Sequence, residues 1–594
     1  MKTKFYLPFF ALFVSCLCFG QSINKIDQHT QKVIDSTYTA LLKKYDVVGT
    51  SIAIVDNGEI VYATGYGFAD KANAIKADEK TIYRIGSCTK SFTALSVMQL
   101  QEKGLLDIHN SIKNYLPDLT ITSRFNDDNK IYINDILCHV SGLPCDITNG
   151  FFCDAPPDIK WVINELNKQT TISPRLYKQA YSNVGFGLLG ELVSRVGKTT
   201  YSSYVRDNIF LPLNMNSSYI DVDENLSKNF SKAYYKNKEI KEPLIRDQAA
   251  GLVHSNALDM GNYLKLYLNK GKYNNNQLVS EKSLNEMEKN HLENVLLNSY
   301  ENWGYGLYTQ DVLMKSDKDS IVGRIIGHGG DTYAFHADFG FIPELNVGVV
   351  VLTNTDNGGS IRSATKLLKL YLKEAKGKIL DLNYKVSKPI NNNEQECSDK
   401  DKIGKYNFGP FVMDVKNGRK IKFKQGPALI ILSQKSQQKT NYTVKARLFR
   451  IVPIKIKNQE LKFVKFNDSI YVKGVNTKTK EENFEAIKTV PTIIPNEWKA
   501  KYGNYIAIDN YKCVNCPFTN TDNISIDLSE DKNFIVLKIK GKTPDISGSY
   551  YLNILSNSIC VTGGIGRGVG ETVKILENGN IYYSGFEFKK NHNN

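Results

Sequence analysis

Ser87 and Lys90 are spaced for nucleophilic catalysis by an activated serine. They stand in the sequence Ser-Cys-Thr-Lys, at the start of a stretch with helical periodicity. Because residues i and i+3 of a helix lie one above the other, the Lys90 amine can reach the Ser87 hydroxyl and accept its proton. If Ser87 opens the helix, its backbone N–H can also stabilise a developing oxyanion. Alone, the motif fits equally well a helix start with an exposed lysine.

A second candidate segment is Tyr181-Ser182-Asn183, just before a predicted helix. A phenol near a lysine ammonium can have a lowered pKa, which makes Tyr181 a candidate proton shuttle. The Asn183 amide offers a donor and an acceptor that can hold a substrate amide. On its own, the segment is also typical of a buried tyrosine followed by a turn.

The third candidate segment is His328-Gly329-Gly330-Asp331. Paired glycines let a substrate approach backbone N–H groups closely, as an oxyanion site requires. His328 could hydrogen-bond the substrate or Tyr181, and a plain loop histidine is the alternative interpretation.

The elements that must position these segments are typical of a sheet covered by helices. Apolar spacing predicts helices at 27–45 and 87–103, and Asp56-Asn57-Gly58 predicts a hairpin between strands 50–55 and 59–64. The valine-rich run 347–352 fits a buried central strand, and the remaining helices are predicted at 157–169, 184–196, 201–209, 257–269 and 361–374.

The chain changes character after the predicted catalytic domain, 21–379. A polar segment at 380–402 is interpreted as a linker. Two β-rich units of barrel or sandwich type are predicted beyond it, at 403–490 and 491–594. A faint repeat supports two units, because Gly404-Lys405-Tyr406 and Tyr502-Gly503-Asn504-Tyr505 open them. Their strands are expected at 421–423, 428–432, 462–466, 534–539 and 581–586.

The first 20 residues are interpreted as an export signal, with Lys2 and Lys4 before an apolar run and small residues at its end. Cleavage after Gly20 is the simplest expectation, and lipid attachment at Cys16 is a weaker alternative. The apolar run is shorter than the roughly 20 residues of a spanning helix, and no later stretch is long enough. We therefore expect a periplasmic or secreted protein without a membrane span.

Composition indicates a globular protein, with 41% hydrophobic and 23% charged residues among 594. A net charge of +15 can favour anionic partners such as a cell-envelope polymer or nucleic acid. A local cluster of basic residues alternates with apolar residues and consists of Lys445, Arg447, Arg450, Lys455 and Lys457. We interpret this cluster as the solvated face of a strand, and the sequence contains no nucleic-acid motif.

The export prediction makes disulfides chemically feasible. Cys145 with Cys153, and Cys513 with Cys516, are the local candidates, although spacing does not determine connectivity. Zinc or redox chemistry at Cys513 and Cys516 is disfavoured, since a second ligand pair and a βαβ setting are both lacking. His-Glu-x-x-His, Walker and Gly-x-Ser-x-Gly motifs are absent from the sequence, and we expect neither a metal nor an organic cofactor.

In this order, the three candidate segments resemble the serine β-lactamase and penicillin-binding-protein superfamily, in particular its class C and D-aminopeptidase-like branch. The general motif set is S-x-x-K, S-D-N and K-T-G. Here Tyr181-Ser182-Asn183 replaces the second motif, as in class C enzymes, and His328-Gly329-Gly330 replaces the third. The resemblance covers roughly residues 26–374. Three further stretches of the sequence strengthen the resemblance, at residues 84–86, 137–144 and 348–354.

The resemblance implies an α/β (α+β) catalytic domain, an antiparallel sheet covered by helices, followed by all-β C-terminal domains. Ser87 would be acylated, and Lys90 with Tyr181 would share the acid–base work. Asn183 would contact the substrate, and the backbone N–H groups of Ser87 and Asp331 would form the oxyanion hole. The β-rich C-terminal region resembles appendages of this family, and we expect it to shape or shield the cleft.

His328 would occupy the place of a lysine that favours a substrate carboxylate. A neutral histidine attracts that group less, which makes β-lactam hydrolysis less expected. The resemblance therefore implies an exported serine hydrolase, with a peptidase or amidase for D-amino-acid or cell-wall-like peptides preferred. A carboxylesterase or a β-lactamase is the alternative within this class. A penicillin-binding sensor or binding protein without turnover is the alternative outside it.

Overall fold

The structure is a computed structural model. It describes residues 23–221, 229–297, 302–317, 319–382, 394–408, 411–418, 420–425, 428–435, 441–448, 452–454, 456–478, 482–511, 524–531, 533–541, 548–565 and 568–592. The signal segment 1–20 with Cys16, the cysteines Cys513 and Cys516, and Arg450 and Lys455 lie outside the described residues, as do residues 383–393 of the predicted linker.

Within the described residues, a nine-stranded antiparallel sheet forms the centre of the N-terminal part. Its strands lie side by side in the order Asn302–Trp303, Tyr308–Lys315, Ser320–Asp331, His336–Ile342, Val347–Thr353, Gly49–Asp56, Glu59–Asp70 and Ile75–Lys76, and Ile379–Asp381 pairs with Tyr308–Lys315. The predicted central strand is confirmed, since every residue of Val347–Thr353 is buried.

Helices cover both faces of this sheet. Val350 and Leu352 face a large core with helices Thr89–Glu102, Asn183–Gly197 and Ala257–Leu268. Val349 and Val351 face a smaller core with Gln28–Tyr45 and Ala364–Lys376. The other helices are Ile133–Leu137, Ile159–Asn167, Tyr201–Val205, Gln248–Gly251 and Glu281–Glu288. The expected α/β fold class is thus confirmed.

The predicted hairpin forms at Asn57 and Gly58, whose φ angles of 51° and 75° suit a tight turn. Two helix predictions need correction. The segment 87–103 does not begin as an α-helix, because Gly86–Cys88 is a 3₁₀ turn and the α-helix starts at Thr89. The predicted helix 201–209 changes after Val205 into a π-helical turn, Arg206–Phe210.

Outside the large sheets, four two-stranded antiparallel ladders of the described residues join segments between the helices. Phe152–Cys153 pairs with Leu244–Ile245, and Tyr83–Arg84 pairs with His254–Ser255. Two more join Ala233–Tyr235 to Lys238–Ile240 and Lys272–Tyr273 to Asn276–Gln277. The candidate disulfide Cys145–Cys153 is absent, since both cysteines are buried free thiols. Across the described residues, none of the helices combines the length and apolarity that a membrane crossing requires.

The C-terminal region is all-β, as expected. Its first described part is a ten-stranded sheet in the order Phe411–Val415, Gly404–Phe408, Glu482–Thr489, Ser469–Asn476, Gln459–Phe466, Asn441–Leu448, Ala428–Gln434 and Lys420–Gln425. Gln395–Glu396 and Val452–Ile454 pair with inner strands of this sheet. Gln395–Glu396 lies in the segment interpreted as a linker, so part of that segment is regular structure. In the basic cluster, Lys445 and Arg447 are exposed and Ala446 between them is buried, as expected for a solvated strand face.

The last part is a closed barrel, called here the C-terminal barrel, preceded by helix Asn496–Lys499. Its described strands are Gly503–Ala507, Ser525–Glu530, Ile535–Lys540, Gly548–Ile554, Ile559–Thr562, Thr572–Ile575, Ile581–Tyr583 and Phe586–Lys590. The single strand predicted at 581–586 is wrong, because Ser584 and Gly585 have φ angles of 49° and 83° and turn the chain.

The faint sequence repeat has a structural counterpart. Tyr406 donates its hydroxyl hydrogen to the Lys402 carbonyl at 2.9 Å, and Tyr505 does the same to the Lys501 carbonyl at 2.8 Å. Both tyrosines are buried, and each follows a glycine that opens the first strand of its unit. The two units therefore begin with the same local arrangement, while the domain limits stay predictions.

We predict that Trp498→Ala destabilises the C-terminal barrel by about 3–5 kcal/mol, because this indole is fully buried in the barrel core. Denaturant unfolding followed by circular dichroism should show one transition of the full chain at a lower denaturant concentration. Val490→Ala, at a side chain that is 71% exposed, is the control and should leave every transition in place. An unchanged unfolding profile for Trp498→Ala would contradict the prediction.

Candidate active site

Ser87 lies in the 3₁₀ turn Gly86–Cys88, directly before the buried helix Thr89–Glu102. Gly86 has a φ of 50°, a left-handed conformation that glycine adopts at low cost. The Thr89 hydroxyl donates to the Gly86 carbonyl at 2.7 Å and fixes the turn. The Ser87 side chain is only partly buried and lines a cleft, so a substrate can reach it.

The Lys90 side chain is fully buried, and its amine lies among three oxygen atoms. Nζ is 3.0 Å from Ser87 Oγ, 2.8 Å from Asn183 Oδ1 and 2.7 Å from the Ala250 carbonyl oxygen. The two carbonyl oxygens can only accept hydrogen bonds. In the neutral amine they would hold both N–H groups and leave the lone pair for the Ser87 hydroxyl.

Asn183 is the first residue of helix Asn183–Gly197, and its amide orientation is fixed by a carboxylate. Its Nδ2 donates to Asp146 Oδ1 at 2.8 Å, so its Oδ1 must face Lys90. The Ser182 side chain caps the helix, accepting from Gly185 N at 2.9 Å and donating to the Pro144 carbonyl at 2.6 Å. The tie to Pro144 holds the helix start against the segment that carries Asp146.

Tyr181 also borders the Lys90 amine, as the sequence prediction requires. The Lys90 Nζ is 4.7 Å from the centre of the Tyr181 ring, and the ring lines the cleft. His139 packs on this ring with centroids 4.3 Å apart, and His139 Nδ1 accepts a hydrogen bond from Ser182 N at 3.1 Å. The structure thus brings Ser87, Lys90, Tyr181 and Asn183 together.

His328 lies near the end of strand Ser320–Asp331, 3% exposed, at the edge of the same cleft. Its Nδ1 is 2.6 Å from the Gly329 carbonyl oxygen, so this nitrogen carries the hydrogen and Nε2 is an acceptor. Nε2 is buried without a hydrogen-bond partner among the described atoms. Burial, followed by the charge of Lys90, lowers the pKa of His328 to about 3, so the ring is neutral at physiological pH.

Gly330 and Gly86 let the end of this strand and the Ser87 turn touch. A Cβ added to Gly330 would lie 1.9 Å from the Ile85 carbonyl oxygen and 2.8 Å from Ser87 N. A Cβ added to Gly86 would lie 2.7 Å from Asp331 N. The amide nitrogens of Ser87 and Asp331 are therefore neighbours at the cleft, and side chains here would separate them.

The cleft has a volume of about 760 Å³. Besides the predicted residues it is lined by side chains that sequence reasoning missed, because only tertiary packing brings them there: Phe151, Phe152, Ile245, Trp303, Tyr308, Gln310, Thr332, Tyr333, Asp338, Arg362 and Thr365. Arg362 pairs with the Asp331 carboxylate, and it donates to the Gly330 carbonyl at 2.9 Å. Burial raises the pKa of Asp338 to about 7. In the described part of the chain, no three His, Cys, Asp or Glu side chains are grouped as metal ligands.

Comparison with known proteins gives a family match over more than half of the chain. The family model described as Beta-lactamase matches residues 34–373. The chain is 26% identical to Protein flp of Staphylococcus aureus (strain N315) over 344 residues, 56% of this chain and 65% of that protein. It is 30% identical to Beta-lactamase-like protein 2 of Dictyostelium discoideum over 292 residues, 46% of this chain and 52% of that protein. The matches thus span less than two thirds of these relatives.

A solved structure has a similar fold. The octameric penicillin-binding protein homologue from Pyrococcus abyssi aligns with a TM-score of 0.51 at 22% identity, over 77% of this chain and 100% of that chain. At this identity the similarity concerns the fold alone.

We predict that His328→Asn flattens the pH dependence of stability. The unfolded histidine binds a proton near pH 6.5, whereas the folded one stays neutral down to about pH 3. Stability should therefore fall as the pH is lowered from about 6.5 towards 3, by up to ~1.4 kcal/mol per pH unit for one such group. Denaturant unfolding between pH 7 and pH 4 checks this. The variant should lose less stability than the wild type, because the His328 contribution is gone while those of the other buried groups remain, among them His254, whose pKa burial lowers to about 3, and His291, whose pKa burial also lowers. Parallel curves would contradict the prediction.

Proposed function

Since the chain belongs to the Beta-lactamase family, we propose that it is a serine hydrolase that splits an amide or ester bond through an acyl-enzyme on Ser87. The observation that carries the proposal is the position of the Lys90 amine, 3.0 Å from Ser87 Oγ and bound to two carbonyl oxygens. A serine hydroxyl becomes a good nucleophile when a neighbouring base takes its proton. The position of its amine supports Lys90 as that base.

The reaction starts with proton transfer from Ser87 Oγ to Lys90 Nζ while Oγ attacks the substrate carbonyl carbon. The carbonyl oxygen becomes an oxyanion beside the amide N–H groups of Ser87 and Asp331. Collapse of the tetrahedral intermediate breaks the bond to the leaving group, which receives the proton held by Lys90, either directly or through Tyr181. Water then attacks the acyl carbon while Lys90 takes a proton from it. The bond to Ser87 Oγ breaks to release the carboxylic acid product, and Lys90 returns the proton to Ser87 Oγ.

For the substrate, we favour a D-amino-acid or cell-wall-like peptide amide, with carboxylester and β-lactam hydrolysis as alternatives. The neutral His328 argues against β-lactam hydrolysis, because it offers a substrate carboxylate no positive charge at the place where the family resemblance implies a lysine. Export, with removal of residues 1–20, belongs to the same proposal. The envelope would then be the compartment in which the enzyme works, and an envelope polymer is a candidate partner.

A non-turnover penicillin-binding sensor is the second candidate. The same Ser87 and Lys90 geometry would allow acylation, and the two functions differ only in the water step. Stoichiometric labelling by penicillin without release of product would favour the sensor over the hydrolase.

We predict that Ser87→Ala abolishes covalent labelling by a fluorophosphonate and by penicillin, because the attacking oxygen is removed. Mass spectrometry of the intact protein gives the measurement. Ser91→Ala is the matched control: Ser91 lies about one turn further along the chain, in helix Thr89–Glu102, where its hydroxyl donates to the Cys88 carbonyl at 2.8 Å. Full labelling of Ser87→Ala would contradict the assignment, as would loss of labelling in both variants.

We predict that Lys90→Met lowers kcat by about 10²–10⁴-fold, the usual contribution of a general base, with a much smaller change in KM. The pH profile should lose its limb on the low-pH side, since the group that must be deprotonated is gone. Steady-state rates on a D-aminoacyl amide, a short acyl ester and nitrocefin supply the data and rank the three substrate classes. A variant with wild-type kcat on the best substrate would refute the base assignment.

A further inference from the structure

One wall of the cleft is apolar and partly aromatic. Phe151, Phe152, Tyr333 and Ile245 line it. The rings of Phe152 and Tyr333 have centroids 4.7 Å apart, and Phe152 pairs with Ile245 in a short ladder. The three aromatic side chains are only partly buried, so each keeps surface that a ligand can cover.

We propose that this apolar wall binds an apolar or aromatic substituent of the substrate, and that the C-terminal barrel holds the wall in position. Covering such surface is favourable by roughly 25 cal/mol per Å². Tyr333 stands two residues after Asp331, whose amide belongs to the proposed oxyanion site, so the substituent would lie next to the scissile carbonyl. The inference rests on the proposed hydrolysis at Ser87 and adds the substrate class.

The wall depends on the 145–153 loop, which carries Phe151 and Phe152. Within the catalytic part, the Arg246 side chain fixes this loop by hydrogen bonds to its backbone. Its buried guanidinium donates to the carbonyls of Ile147 and Asn149 at 2.8 and 2.7 Å. It also pairs with Asp247 through two hydrogen bonds of 2.8 and 2.9 Å, so the buried charge is compensated.

The C-terminal barrel holds the same loop from the other side through Asn149, which is fully buried. Asn149 Nδ2 donates to the carbonyls of Asp509 and Gly585, both at 2.8 Å. Its Oδ1 accepts from Tyr511 N at 3.1 Å, and its backbone N–H donates to the Ser584 carbonyl at 3.2 Å. A single side chain thus makes hydrogen bonds to backbone groups of three residues of the C-terminal unit, Asp509, Tyr511 and Gly585.

The turn of the barrel at Ser584 and Gly585 is shaped for this contact. The Ser584 hydroxyl accepts from Thr148 N and donates to Thr148 Oγ1, both at 3.0 Å. A Cβ added to Gly585 would lie 2.6 Å from the Ile147 side chain, so only a glycine lets the turn approach the loop this closely. The barrel therefore contacts Ile147, Thr148 and Asn149, directly before the two phenylalanines of the wall.

The test uses two fluorophosphonates that differ only in a methyl or a benzyl substituent on phosphorus, with the full-length protein. The readout is the ratio of the rates at which they label Ser87. We expect wild type to react faster with the benzyl probe. Phe152→Ala should lower the benzyl-to-methyl ratio about tenfold, because it removes the ring that would contact the benzyl group.

The role of the barrel is tested by Asn149→Ala, which should lower the same ratio about threefold by loosening the loop. Ser584→Ala removes a single hydroxyl and should act in the same direction, and it supplies the comparison if Asn149→Ala does not fold. A general loss of structure would slow both probes alike, whereas a displaced wall changes their ratio.

Two matched controls are available. Asn407→Ala removes a fully buried asparagine that joins the ten-stranded sheet to the barrel, with bonds of 3.1 and 3.0 Å to the Tyr551 backbone, but does not touch the loop. Phe68→Ala removes a partly buried ring of strand Glu59–Asp70 outside the cleft. Both should keep the wild-type ratio.

The outcomes separate the claims. An unchanged ratio in Phe152→Ala would overturn the apolar subsite while leaving the proposed hydrolysis in place. A lowered ratio in Phe152→Ala, with wild-type ratios in both Asn149→Ala and Ser584→Ala, would overturn the role of the barrel. Failure of wild type to react with either probe would overturn the proposed function and the subsite together.

Discussion

The buried amine of Lys90 is the constraint on which the site depends. A lysine removed from water must find partners or lose its charge, and here the partners come from three different parts of the chain. Ser87 lies on the preceding turn, Asn183 starts a second helix, and Ala250 belongs to a third. A shift of any of these elements would remove one of the three oxygen atoms from the amine. The helix packing that satisfies the Lys90 amine is therefore also the packing that positions this amine beside Ser87.

A second constraint is the close approach of two backbones. The end of strand Ser320–Asp331 touches the turn before helix Thr89–Glu102, and Gly86 and Gly330 are the residues that allow it. The contact brings two amide nitrogens together at the cleft, beside a neutral His328. Substrate preference would then be set around this fixed core, by the side chains that line the cleft.

The two β-rich units are joined to the parts of the catalytic region that carry the site. The C-terminal barrel binds the 145–153 loop, which also bears Asp146, the partner of Asn183. The ten-stranded sheet contacts the segment before Tyr181, where the hydroxyls of Tyr177 and Tyr471 are 2.8 Å apart. Both contacts meet loops instead of the central sheet, so they can affect the shape of the cleft without changing the core.

The sequence by itself determined the elements that local rules govern: the helices at apolar 3.6-residue spacing, the Asn57-Gly58 turn and the buried strand at Val347. It also indicated Ser87 with Lys90, because residues three apart in a helical stretch can contact each other, and the order of the three candidate segments favoured this contact over an exposed lysine. Where local rules compete, it erred: 581–586 was expected as one strand, although Ser584 and Gly585 adopt the positive φ angles of a turn. Only the tertiary structure decided that Asp146 orients Asn183 and that Phe152 packs against Tyr333. It also decided that the C-terminal barrel forms hydrogen bonds with Asn149. These pairs are up to 436 residues apart in the chain, and their contacts depend on how separate layers pack, which no local pattern of residues encodes.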